Sequence, residues 1–183
     1  MKEKKTCAII GHRPMRFAWG FDEEDDGCRK LKLELAQQIA ALRQQDVTRF
    51  AVVADYGVGL YAGEIINVMR ESDAGLELLV VTPHEEYATK WTPQLRERYF
   101  DLIINNTELE PASLRKTAIC EYQAYQRIVN EAGLILAVYD STSTRGDVID
   151  MAMAYAEQLR MDALLIHPDT MEVKWYELED EVN

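Results

Sequence analysis

Three stretches of the chain hold residues whose types and spacing suit chemistry. The first is Gly11-His12-Arg13-Pro14, which closes the apolar run Thr6–Ile10. An arginine in such a place can hold a phosphate or carboxylate through two parallel hydrogen bonds. A histidine there donates, accepts or transfers a proton near neutral pH. Gly11 permits a close backbone approach or an unusual φ. A plainer reading stays open, in which Arg13 pairs with a carboxylate of the protein and His12 closes a turn. The second stretch is ADYGVGLYAGE, residues 54–64. Gly57 and Gly59 frame a turn ahead of a helix, where free N–H groups and the helix dipole favour an anion. Asp55 and Glu64 are candidate contacts to ribose hydroxyls or candidate acid–base groups, and Asp55 reads equally well as a helix cap. The third is VYDSTSTRGDV, residues 138–148. Asp140 ends the apolar run; Ser141, Thr142, Ser143, Thr144 and Gly146 then form a hydroxyl-rich loop leading into a helix. With its amides and Arg145, such a loop suits phosphate or sugar recognition; the alternative is a polar loop with Arg145 in solvent.

Other chemistries lack their residues. No HExxH, GxSxG or GxxxxGK[ST] pattern occurs. His12, His84 and His167 do not show metal-ligand spacing, and Cys7, Cys28 and Cys120 are odd in number and widely separated. The expectation is neither a metal nor another cofactor. Adjacent carboxylates in the acidic run FDEEDDG (21–27) point in different directions, so that run reads as a solvated loop and helix start. The segment TPHEEYATKWTPQLRERYFDLI (82–103) is rich in Trp, Tyr and Arg and suits a rim or lid over a pocket, with Leu95, Tyr99 and Leu102 facing the core.

Five apolar runs must position these stretches: 6–11, 49–55, 76–82, 134–140 and 162–168. They are dense in Val, Ile and Leu rather than alternating, the pattern of parallel strands covered on both faces. Helical periodicity fills 27–45, where Leu31, Leu33, Leu35, Ile39 and Leu42 make a stripe, and 58–71, 92–104, 111–132 and 146–160. Strand–helix alternation predicts one α/β domain over 1–183, a doubly wound, mainly parallel sheet with flanking helices. The alternating MEVKWYEL (171–178) fits an added antiparallel edge strand. In an open parallel sheet, ligands bind beyond the carboxyl ends of the strands, where strand order reverses. The strands ending at Gly11 and Asp140 are therefore expected to be neighbours.

The 183 residues carry a net charge of −12. That charge disfavours partners held by phosphate neutralisation, so neither nucleic acid nor an anionic membrane surface is expected. No apolar run reaches the length of a membrane span, and the short apolar start after MKEKK does not read as a signal segment. The expected setting is cytoplasmic.

Four segments in order resemble the YpsA-like branch of the SLOG superfamily, a Rossmann-like group that also includes DprA/Smf and the LOG phosphoribohydrolases. They are IIGHRP (9–14), the Gly57 turn with AGEI (62–65), TPHEEYATKW…RERYFD (82–101) and LILAVYD (134–140). The branch commonly has Gly-x-x-x-Gly-x-Asp after its second strand; here Val53, Gly57 and Gly59 occupy those positions. Its late loop usually carries Gly-Gly-Thr, where this chain has STRGD (143–147), and an Arg-Asn pair common in the preceding helix is replaced near Ala124-Tyr125. The PGGxGTxxE signature of the LOG enzymes is absent. The resemblance implies a Rossmann-like domain that binds a nucleotide or nucleotide-derived small molecule as a sensor or regulator, and a homodimer. It implies that GHRP is the lip of the pocket and makes a local positive site. Two other functions follow the same residues: a hydrolase of N-glycosidic bonds using Glu64 or Asp55, and a protein-interaction module with a degenerate pocket.

Overall fold

The computed structural model describes residues 5–176. Seven strands run as β1 (Lys5–Gly11), β2 (Val47–Val53), β3 (Glu77–Thr82), β4 (Glu108–Pro111), β5 (Leu134–Val138), β6 (Ala163–Ile166) and β7 (Val173–Tyr176). Among the described residues five α-helices alternate with them: α1 (Asp26–Gln44), α2 (Val58–Arg70), α3 (Pro93–Ile104), α4 (Cys120–Asn130) and α5 (Val148–Gln158). The sheet order is β4-β3-β2-β1-β5-β6-β7, parallel throughout except for β7, which is antiparallel to β6. This is the doubly wound α/β architecture read from the apolar runs.

The strands are apolar on both faces because both faces are covered. Cys7 and Ile9 of β1 pack with Leu31, Leu35 and Ile39 of α1, Leu60 of α2 and Tyr99 of α3. Their neighbours Ala8 and Ile10 point to the other layer, with Tyr125 and Ile128 of α4 and Ala152 of α5. Helix α1 starts where the Asp25 carboxylate accepts the Gly27 amide, and buries Cys28, Leu31, Leu35, Ile39 and Leu42. Full burial of each large aliphatic side chain contributes about 1.5–3 kcal/mol. Leu33, expected in that stripe, is exposed, because two residues from Leu31 and Leu35 is the wrong angular step on a helix.

Two expectations change. β4, with sequence ELEP, is a short polar edge strand that apolar content does not reveal. The helix expected over 111–132 begins only at Cys120, after irregular backbone from Ala112 to Ile119. The edge strand expected over 171–178 forms as β7, with its last two residues outside the described ones.

Strand order reverses between β1 and β5. Gly11 pairs with Val138, and the His12 amide donates to the Val138 carbonyl at 3.1 Å. The strand ends expected to be neighbours at the switch point are neighbours. Gly11 is required there, since a Cβ would stand 2.5 Å from the Val58 side chain at the start of α2.

Candidate functional site

Helix α2 starts hard against the end of β1. Gly57 takes φ +87°, and a Cβ on it would press on Pro14 and the His12 carbonyl. A Cβ on Gly59 would stand 2.3 Å from the Val53 carbonyl oxygen. The glycines read as an anion cradle thus also let β1, β2 and α2 converge. That convergence places Asp55 beside Arg13.

Asp55 is fully buried, and four donors fill its carboxylate. Arg13 Nε donates to Oδ2 at 2.8 Å, and the Tyr125 hydroxyl donates to the same oxygen at 3.0 Å. The Tyr87 hydroxyl and the Tyr56 amide each donate to Oδ1 at 2.9 Å. A carboxylate offers about four lone-pair sites, so none is left for a ribose hydroxyl or a water. Burial pushes the Asp55 carboxyl up, against the pull of Arg13 and the two phenols. Burial, followed by the Asp55 charge, also raises the Tyr87 and Tyr125 phenols, which keeps both as donors. Arg13 completes its bonding with Glu121 at 2.9 Å and lies over the Tyr56 ring. It is a guanidinium between two carboxylates, not the free anion clamp of the first reading.

The switch point is bridged in the same way. His12 Nε2 accepts the Asp140 amide at 3.0 Å, so its proton resides on Nδ1; burial, then the nearby Arg16, holds the ring below its ordinary pKa and neutral. Arg16 Nη2 donates to Asp140 at 2.8 Å and to Asp169 at 3.1 Å. The Thr142 hydroxyl and amide donate to Asp140 Oδ1, and these bonds, then Arg16, hold its carboxyl down at about 2. Ser141, Thr142, Thr144 and Arg145 are exposed and Ser143 is half-buried. The loop amides do form an anion cradle, but an internal anion fills it: the Asp150 carboxylate accepts from the Arg145 and Gly146 amides at 2.6 Å each. Glu64 is separate from this constellation. It lies on the α3 side of α2 and accepts from Arg98 at 2.6 Å, and Arg98 also holds Glu23 at 2.6 Å.

Asp140, His167 and Asp169 bring ligand atoms within 4.8 Å of one another. His167 Nδ1 accepts the Asp169 and Thr170 amides at 3.2 and 3.3 Å, which leaves the proton of the neutral ring on Nε2, facing Asp140. A metal needs that nitrogen's lone pair, and Arg16 already bridges both carboxylates, so this donor set fits an arginine clamp better than a cation.

A cavity of about 480 Å³ opens beside the late loop, with Ser141, Thr144 and Asp150 among its walls, and a second open space lies one strand over. A cavity of about 580 Å³ opens between the loops after β1, β2 and β3, with Phe21, Tyr56, Lys90, Trp91 and Arg98 among its walls. Tyr56 and Trp91 meet edge to face at 5.3 Å, and Trp91 packs on Tyr87 and Tyr99. The start of α3 borders the cavity through Thr92 and Gln94. The segment read as a rim or lid thus supplies Lys90 and Trp91. Glu121, Tyr87 and Tyr125 were not singled out as site residues, because each sits in a pattern that reads as loop or ordinary helix packing.

The layout of clamps and cavity accompanies a sequence match. A sequence model of the YspA SLOG family, YpsA, matches residues 7–171. The chain belongs to the YpsA SLOG family. A UPF0398 protein of Halalkalibacterium halodurans is 28% identical over 190 residues, covering 98% of this chain and 95% of the relative. UPF0398 proteins of Bacillus pumilus and Bacillus thuringiensis are 21% and 24% identical over 138 residues, 74% of each chain. The family match contains every clamp described above and the whole aromatic cavity. Within the YpsA SLOG pattern, the Ala124-Tyr125 position has a visible use here: the Tyr125 hydroxyl reaches Asp55 across the layer.

Proposed function

We propose that this YpsA SLOG domain binds a nucleotide or nucleotide-derived small ligand at the carboxyl edge of its sheet and acts as a sensor or regulatory protein. The observation that carries the reading is the cavity of about 580 Å³, walled by Tyr56 and Trp91 and bordered by Lys90. Its size lies within the roughly 300–1,000 Å³ of small-molecule sites. Aromatic faces accept a base of any sequence by stacking. Both carboxylates weighed as catalytic groups, Asp55 and Glu64, are bound to guanidinium groups, which supports binding rather than N-glycosidic cleavage. Three free, buried cysteines are in keeping with a cytoplasmic setting.

Tryptophan fluorescence and calorimetric titration with a panel of nucleosides and nucleotides test the reading. Removing the ring in Trp91→Ala is expected to weaken binding about 5- to 150-fold, since base–aromatic stacking contributes about 1–3 kcal/mol. Failure of the whole panel to bind the wild-type chain refutes it.

A further inference from the structure

The acidic run at 21–27 takes no part in the clamps on Arg13 and Arg16, yet it stands at the mouth of the aromatic cavity. Phe21 and Glu23 are wall residues, and Asp22, Glu24, Asp25 and Asp26 beside them are exposed. Three guanidinium groups of this edge are already matched. Arg13 faces Asp55 and Glu121, Arg16 faces Asp140 and Asp169, and Arg98 faces Glu23 and Glu64. Each of these three guanidinium groups therefore presents an incoming anion with two carboxylates beside it. Among the cavity's walls, Lys90 is the cation that shows no ion pair within the described residues, and it is exposed.

One free ammonium can answer one negative charge. A second or third phosphate would lie near Glu23 and the exposed Asp22 and Glu24 that flank it in sequence, where the cations at hand, Arg29, Lys32 and Arg98, are each already held by a carboxylate, and like charges a few ångströms apart repel most strongly at low salt. Resting on the reading above, we infer that the cavity takes a planar heteroaromatic ligand carrying at most one phosphate, a nucleoside or nucleoside monophosphate, and that the 21–26 loop is a charge filter against nucleoside polyphosphates and dinucleotides. This gives the acidic run a function that a solvated loop lacks. It also replaces the positive pocket expected at GHRP with a cavity that is close to neutral and rimmed by acid.

The test titrates the full chain with the nucleosides, monophosphates, diphosphates and triphosphates of the four common bases, and with ADP-ribose. It is run with no divalent cation added, at low and at physiological salt. The nucleoside and monophosphate of the preferred base are expected to bind best. Each further phosphate is expected to weaken binding roughly three- to ten-fold at low salt, and the gap to narrow as salt rises. In Asp22→Asn/Glu24→Gln, which leaves all three arginine clamps untouched, triphosphate and ADP-ribose affinity is expected to rise while nucleoside affinity holds. Affinity that climbs with phosphate number, or a double variant with unchanged ratios, overturns the filter and leaves the binding site standing. Absence of binding by every ligand, nucleosides included, overturns the site and the filter together.

Discussion

Replacing Arg13 with methionine keeps an unbranched apolar stem and removes the guanidinium and its charge. If Arg13 were a ligand clamp at the pocket lip, the variant would fold normally and bind poorly. The structure leads to a different outcome. Removing one partner of a buried ion pair costs about 3–5 kcal/mol, because the other charge is left uncompensated. Here the lower end applies: the Arg13 side chain is 18% exposed, and Asp55 keeps Tyr87, Tyr125 and the Tyr56 amide as donors. A loss of about 3 kcal/mol lowers Tm by about 6–12 °C in a domain of this size. Denaturant unfolding of Arg13→Met, Asp55→Asn and the double variant measures it. The second substitution is expected to cost about 1–3 kcal/mol less in the Arg13→Met background than alone, as expected of contacting residues. The deficit of Arg13→Met is also expected to shrink toward acid pH. Without its cation the buried Asp55 has a folded pKa raised further above its unfolded one, so stability is present at low pH and lost as pH rises through the folded value. If Arg13→Met does not fold, Tyr125→Phe removes a single donor and is expected to cost about 1.5–3 kcal/mol. An Arg13→Met chain within about 1 kcal/mol of wild type, with additive double-variant costs, refutes the clamp.

Gly59→Ala is expected to destabilise by about 1–3 kcal/mol in denaturant despite alanine's better helix propensity, because the new methyl meets the Val53 carbonyl and not a movable side chain; an unchanged midpoint would contradict the close approach. Asp140→Asn tests the clamp at the switch point. Its carboxyl is held down at about 2, so its stabilisation is present above the ordinary carboxylate range and disappears as pH falls through that value. Acid unfolding followed by circular dichroism is expected to show a shallower loss between pH 4 and pH 2 in the variant, and an identical acid limb would exclude Asp140 as a contributor.

The parts of the molecule that were readable in the sequence are those where one residue type has one common use. VVAD, LLVV and LILAV read as buried parallel strands because they offer no polar face. Gly57 read as a turn because its positive φ excludes most side chains. β4 was not readable, since ELEP has a single aliphatic residue and is too short for a pattern to register, and it pairs with β3 after the Thr107 hydroxyl has accepted the Leu78 amide. The candidate site was half readable. GHRP, Asp55 and Asp140 stood out by type, but whether a buried arginine meets a ligand or a carboxylate depends on residues far along the chain. Glu121 lies 108 positions from Arg13 and Tyr125 lies 70 from Asp55. Only the fold brings them within bonding distance.

The polar character that hid β4 has a consequence for the protein at high concentration. The outer rim of a sheet exposes unpaired amides and carbonyls, which invites another copy to add its own strand and begin an aggregate. β4 occupies that rim with four residues, two of them glutamates and the last a proline that has no amide to offer. Arg49 and Arg127 hold Glu108 and Glu110 in place, so the charges stay along the rim. The strand that contributes least to the apolar core thus guards the β4 edge of the sheet against the strand of another copy.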